Sequence, residues 1–194
     1  MPRYAVLTND LQYDLVDKNE QRKANVEAMK PRLVKFLADV RELGVPVVHL
    51  QLIYDETDKK IELHDGRIPV LRGTPGAELL PDFVDERDVV IEKKKDSGFF
   101  ETGLDAFLRD HEIDTVVITG MQAQVCIQTT AADAHFRGYN VLVPTDGVVS
   151  TRDEDRLRAL EWLASYCAVV APTTEIVERM RRHDAFDFTP AALP

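Results

Sequence analysis

The sequence predicts one α/β domain spanning residues 1–194: three layers, α/β/α, with a six-stranded parallel sheet carrying helices on both faces. Three observations lead there. Short apolar runs bounded by turn residues recur along the chain. From residue 88 onward each run is followed by a segment with helical period. No linker, internal repeat or low-complexity stretch divides the chain. Parallel strands buried on both faces read as continuous apolar runs, and the crossover between two of them needs a helix. The expected topology is Rossmann-like.

The first strand covers residues 4–9, and residues 11–19 are polar and irregular. A helix follows, because Val26, Met29, Leu33, Leu37 and Val40 recur at steps of three and four. Pro31 lies inside that pattern, so the helix starts near it or bends there. Gly44 and Pro46 end it, and residues 45–53 form the second strand. Residues 54–87 carry Gly66, Pro69, Gly73, Pro75, Gly76 and Pro81 and no clear period. So long a loop in a compact domain is usually functional, here as pocket wall or subunit contact. Strand 88–93 then leads to a helix near 101–111, and strand 114–119 to helix 124–137. Strand 140–143 leads to helix 153–165, and strand 167–171 to a last helix near 174–182. Residues 184–194 have no helical period.

Composition narrows the function. A net charge of −10 argues against a nucleic-acid partner, since phosphate binding needs a basic surface. No apolar run approaches the roughly 20 residues of a membrane span. Met1-Pro2-Arg3-Tyr4 runs directly into a strand, so no signal peptide is expected. Two cysteines, Cys126 and Cys167, are too few for a disulfide framework, which points to a reduced, cytoplasmic compartment.

Asp10, Lys93 and Cys126 stand out because each follows or closes an apolar run: Tyr4 to Asn9, Val89 to Glu92, and Thr115 to Gly120. Open α/β sheets place their ligand crevice at the carboxyl ends of the strands. A carboxylate, an ammonium and a thiol converging there would make an activated cysteine nucleophile. Each has a plainer reading. Cys126 at a helix start feels the positive end of the dipole, which favours thiolate, yet most cysteines are inert core residues. Asp10 serves equally as a turn or cap residue. Lys93 heads a run of three lysines that reads as a solvated cluster, although it shares the strand face of Val89 and Ile91 while Lys94 and Lys95 point to solvent. Cys167 opens a strand and is read as core. The histidines, His49 among them, show no metal-ligand spacing, so no metal is expected. There is no glycine-rich phosphate loop and no cofactor is implied.

The same segments resemble a family. Asp10-Leu11-Gln12-Tyr13-Asp14-Leu15 is similar to an Asp-x-Gln-Asn-Asp-Phe motif. Gly73 to Glu78 matches Gly-Thr-Pro-Gly-Ala-Glu, Lys93 to Phe99 resembles Lys-x-x-x-Ser-Ala-Phe, and Gly120 to Cys126 resembles Gly-Val-Ala-Thr-Asp-Val-Cys. Gly138-Tyr139 and Thr145-Asp146 also fit. In this order and spacing they resemble the isochorismatase-like cysteine hydrolases, a superfamily that includes nicotinamidase, N-carbamoylsarcosine amidase and biuret hydrolase.

The resemblance implies an Asp-Lys-Cys triad, Asp10, Lys93 and Cys126, acting on a C–N bond through a thioester. It implies a cis peptide at Met121-Gln122 and an oxyanion hole formed by the Gln122 and Cys126 N–H groups. It points to a homo-oligomer, dimer or tetramer, in line with the apolar tail 185–194. Ala123 and Gln124 depart from the usual Thr-Asp. The zinc-binding Asp-x-His of nicotinamidase is missing, with His49-Leu50-Gln51 in its region, which weakens nicotinamide as substrate. Tyr13, Leu15, Phe99 and Phe100 are expected to line a water-excluding substrate pocket, and Arg67 and Arg72 lie in the loop that could reach it. The substrate is expected to be a small molecule, a neutral or monoanionic amide. The alternatives are isochorismatase-type vinyl-ether hydrolysis without covalent catalysis and a catalytically silent interaction module.

Overall fold

The computed structural model of the chain describes residues 3–58, 61, 63–184 and 188. The apolar tail 185–194 lies outside the described residues, Phe188 excepted. Tyr4–Asn9 forms β1, and every one of its residues is buried. That is why the run is apolar without alternation: β1 sits mid-sheet with a layer on each face. β2 (Val47–Leu52) and β4 (Thr115–Met121) flank it, both parallel to it. β3 (Val89–Lys93) lies outside β2, and β5 (Asn140–Pro144) and β7 (Val169–Ala171) continue beyond β4. The six strands run in the order β3-β2-β1-β4-β5-β7. A two-residue strand, β6 (Val148–Val149), pairs with the end of β4 as a seventh. All recorded pairings are parallel.

The helices divide between two faces. α2 (Glu20–Glu42) and α6 (Thr173–Arg182) cover one, packing Leu33, Phe36, Leu37, Ile176 and Met180 on Val6, Val117 and Leu142. α3 (Leu104–Asp110), α4 (Gln128–Phe136) and α5 (Asp153–Tyr166) cover the other, packing Leu104, Leu108, Ala131 and Leu163 on Leu7, Leu50 and Ile118. Of the two readings for Pro31, a helix start does not apply: α2 runs through it, with Asn19 capping twelve residues earlier by accepting a hydrogen bond from the Arg22 N–H.

Segment 54–87 is ordered by polar contacts and a small core. Leu52, Ile53, Val70 and Ala77 cluster beneath it. The wholly buried Gln12 side chain clamps it to β2, donating to the carbonyls of Leu52 and Ala77 at 2.8 Å each and accepting from the Leu52 N–H at 2.9 Å. Asp14, in the short helix α1 (Tyr13–Val16), takes both Arg67 Nη atoms at 2.7 and 2.6 Å and the Val70 N–H at 2.8 Å. Gly76 passes so close that a Cβ there would meet the Asp14 carboxylate at 2.2 Å.

Sequence pattern missed two local features. The chain after β4 first makes a π-helical turn, Ala123–Ile127, before α4 begins. Ahead of it, Gly120 has φ +102, and a Cβ there would fall 2.4 Å from the Asn9 carbonyl oxygen. Only glycine lets β4 press this tightly on β1.

Candidate active site

Asp10, Lys93 and Cys126 come together at the carboxyl ends of β1, β3 and β4. Asp10 leaves β1 with φ +58, a left-handed conformation that Asp tolerates better than most residues. Its N–H donates to the Leu50 carbonyl at 3.1 Å, which fixes it over the end of β2. Lys93 is the last residue of β3, and its aliphatic stem is buried across the end of β2. Its ammonium donates to Asp10 Oδ2 at 2.9 Å and to the Asp96 carbonyl at 3.1 Å. Cys126 lies in the π-helical turn with 8% of its surface exposed. Its thiol points to Asp96 Oδ1 at 3.8 Å, a weak contact. The Met121–Gln122 peptide is cis.

Asp10 Oδ1 and both polar atoms of the Asn9 side chain are buried without a hydrogen-bond partner among the described residues. Buried polar groups are normally satisfied. Three such atoms at one strand end mark this place as something other than core.

The electrostatics decide the resting state. Burial raises the Asp10 pKa, opposed by the Lys93 charge and the thiol. Burial is the strongest influence on the Lys93 ammonium and works against it, but the charges of Asp10, Cys126 and Asp96 and the hydrogen bond to Asp10 together outweigh it and the pKa rises. Burial and then Asp10 push the Cys126 thiol well above its ordinary value, against Lys93. The thiol precedes α4 inside a π-helical turn, and desolvation beside a carboxylate works against the thiolate that a helix dipole favours. The thiol is held toward its protonated form beside the Lys93–Asp10 salt bridge.

The proposed pocket residues scatter. Phe99 is buried in the core, stacked on Tyr139 with ring centroids 5.9 Å apart. Phe100 is 47% exposed on the surface, because the chain turns outward after Phe99. The Leu15 side chain packs between two core clusters. Tyr13 borders a surface cavity of about 350 Å³ with Asp17, Leu63, His64 and Arg67. Arg67 is bound to Asp14, and Arg72 to Asp55 and Glu92, so each already holds a carboxylate of this chain. Lys94 does not simply point to solvent but bridges Asp55 and Asp58.

Four groups near the cluster escaped the sequence reading. Asp96 touches both the thiol and Lys93. Tyr54 is half-buried, and burial together with the charges of Asp96 and Asp10 raises its pKa, so its hydroxyl stays protonated. Thr151 and Arg22 border Gln122 on the opposite side: Thr151 exchanges two hydrogen bonds with the Gln122 amide, at 2.9 and 3.2 Å, and accepts from Arg22 Nε at 3.0 Å. No spacing rule points to them, since they meet only through the fold. His49 is structural. Its Nδ1 lies 2.6 Å from Thr8 Oγ1 and its Nε2 2.9 Å from Asp88, which also binds Arg41. Among the described residues no group of three or more His, Cys, Asp or Glu side chains is arranged to hold a metal ion.

Fold and cluster define a class: three-layer α/β proteins that gather a buried carboxylate, an ammonium and a thiol at the ends of parallel strands. The chain belongs to the isochorismatase family, whose Isochorismatase domain matches residues 4–175. An isochorismatase-like hydrolase from Alkaliphilus metalliredigens shares 29% identity and superposes with a TM-score of 0.81, covering 91% of this chain and 98% of that one. Pyrazinamidase of Pyrococcus horikoshii, solved in complex with zinc, shares 26% identity at a TM-score of 0.76, covering 88% and 99%. The N-carbamoylsarcosine amidase of an Arthrobacter species is 29% identical over 134 residues, which make up 63% of this chain and 50% of that amidase. The relatives include hydrolases, amidases among them. No helix among the described residues is long and apolar enough to cross a membrane.

Proposed function

We propose that this protein hydrolyses a C–N bond in a small amide or carbamoyl compound through a thioester on Cys126. The observation that carries the reading is the buried Lys93–Asp10 pair, 2.9 Å between charged atoms, beside a thiol that rests protonated. Such a thiol needs a base, and Asp10 has an oxygen without a partner among the described residues. Asp10 takes the thiol proton as Sγ attacks the carbonyl carbon. The oxygen gains the electron pair and is held by the Gln122 and Cys126 N–H groups. The proton passes to the nitrogen as the C–N bond breaks, and ammonia or an amine leaves. Water then gives a proton to Asp10 and attacks the thioester, the acid departs, and the thiol recovers its proton. Lys93 keeps Asp10 ionised in the interim.

The amidase relatives support this chemistry, and the lack of a free arginine fork in segment 54–87 supports a neutral or monoanionic substrate. Two free cysteines are consistent with a reduced, cytoplasmic setting. The test is ammonia release from a panel of small amides, ureas and carbamoyl compounds, with acyl-Cys126 trapped by acid quench and weighed by mass spectrometry. Turnover of a substrate without any covalent adduct on Cys126 would exclude the thioester route.

A further inference from the structure

Arg22 is a half-buried arginine without an acidic partner. Its Nε donates to Thr151 Oγ1 at 3.0 Å and its Nη1 to the Leu15 carbonyl at 2.9 Å. Both acceptors are neutral. No carboxylate lies within ion-pair distance of it among the described residues, and its Nη2 makes no bond to any of them. Arg41, Arg67, Arg72, Arg137, Arg156 and Arg179, by contrast, all hold carboxylates in a chain of net charge −10, while Arg32 shares with Arg22 the lack of one among the described residues. A guanidinium withdrawn from water without a counter-charge is costly, and the usual remedy is an anion.

Its surroundings say where that anion would lie. Asn19 caps α2 through the Arg22 N–H and sets the direction of the side chain. Thr151 holds the guanidinium on one side and the Gln122 amide on the other, while Asn25 donates to the Ser150 and Thr151 carbonyls at 2.8 and 3.2 Å. The strap 150–151 is thus clamped between α2 and the turn that carries Cys126, with Arg22 one residue removed from Gln122. Burial lowers the Arg22 pKa, and a negative charge on Cys126 acts in the opposite sense.

We infer that Arg22 is a specificity residue that binds a carboxylate of the substrate beside the carbonyl attacked by Cys126. The class of substrate is then a monoanionic amide, deepening the proposed function and resting on Cys126 as its nucleophile. Arg22 supplies one cation, which suits one substrate carboxylate rather than two.

Alkylation of Cys126 by iodoacetate and by iodoacetamide tests this without requiring turnover. The two reagents deliver a carboxylate and its neutral analogue to the same sulfur, and peptide mass spectrometry assigns the site. In the unaltered protein iodoacetate is expected to react faster than iodoacetamide and to saturate. In Arg22→Gln the iodoacetate rate falls about tenfold or more, the loss of one charge-assisted bond, while the iodoacetamide rate changes less than twofold. Arg22→Lys restores part of the preference. A second pair, succinamate and succinamide, reads the same residue as kcat/KM. Circular dichroism checks each variant. If Arg22→Gln alters both reagents alike, or neither, with the fold intact, the inference is overturned. If selective alkylation is seen but no amide is hydrolysed, Arg22 keeps its role and the amidase reading fails instead.

Discussion

At the scale of single residues, the thiols make opposite predictions. Cys126→Ala removes the attacking atom from a nearly closed site and is expected to abolish turnover with unchanged circular dichroism. Cys167 lies in the core under α5, where burial alone raises its pKa to about 11. Cys167→Ala should keep activity and lose only packing energy, about 1 kcal/mol. Because Cys126 is pushed above its ordinary value, its alkylation in the absence of substrate should climb with pH beyond the range of a free cysteine. A plateau below that range, at a depressed pKa, would mean a resting thiolate and refute the role given to Asp10. Asp10 and Cys126 were legible because each follows a buried run, and Lys93 because it closes the alternating edge strand β3. Arg22, Tyr54, Asp96 and Thr151 were not, because their meaning lies in what faces them across the fold.

At the scale of elements, the network Thr8–His49–Asp88–Arg41 joins β1, β2, the start of β3 and α2. Burial would raise the Asp88 pKa, but hydrogen bonds from Arg41 and His49 lower it overall. Burial lowers that of His49 and keeps it neutral. Both shifts act in one direction. A depressed carboxyl contributes stability above its unfolded pKa and loses it as pH falls through the folded value. A depressed histidine likewise makes the folded state resist protonation as pH falls. Acid should therefore weaken the fold. Asp88→Asn should lower stability at pH 7 and flatten the acid limb of a denaturation series, whereas an unchanged limb would remove this network from the account. Removing one partner of such a buried pair costs about 3–5 kcal/mol. Gly120→Ala should cost more than about 4 kcal/mol, because the obstructing atoms are the backbone of β1. Strand and helix order were readable from period and punctuation. The π-helical turn and segment 54–87 were not, since Gln12 and Asp14 hold the latter together by long-range hydrogen bonds with no local period.

At the scale of the whole molecule, Phe136, Leu157, Trp162 and Tyr166 are exposed on α4 and α5, with Tyr166 and Trp162 ring centroids 4.9 Å apart. So much aromatic surface on one side is unusual for a monomer. We expect a homo-oligomer closed by a second copy there. Light scattering at micromolar concentration should give a dimer or tetramer, and Trp162→Glu should shift it toward monomer. A monomeric unaltered protein would rule this out. Dialysis against a strong chelator should leave the rate unchanged, and a loss restored by zinc would contradict the metal-free reading.

The strand order carries a consequence for biosynthesis. β1 lies at the centre of the sheet, yet its partner β4 is translated about 110 residues later. At 5–20 residues per second the nascent chain waits about 6–22 s with one ladder edge of this wholly buried strand open. β2 can shield only the other edge. That open edge is a template for pairing with neighbouring chains on a polysome. Yield during expression should therefore depend on ribosome spacing and on chaperones that hold extended apolar segments, more than on the stability of the finished protein.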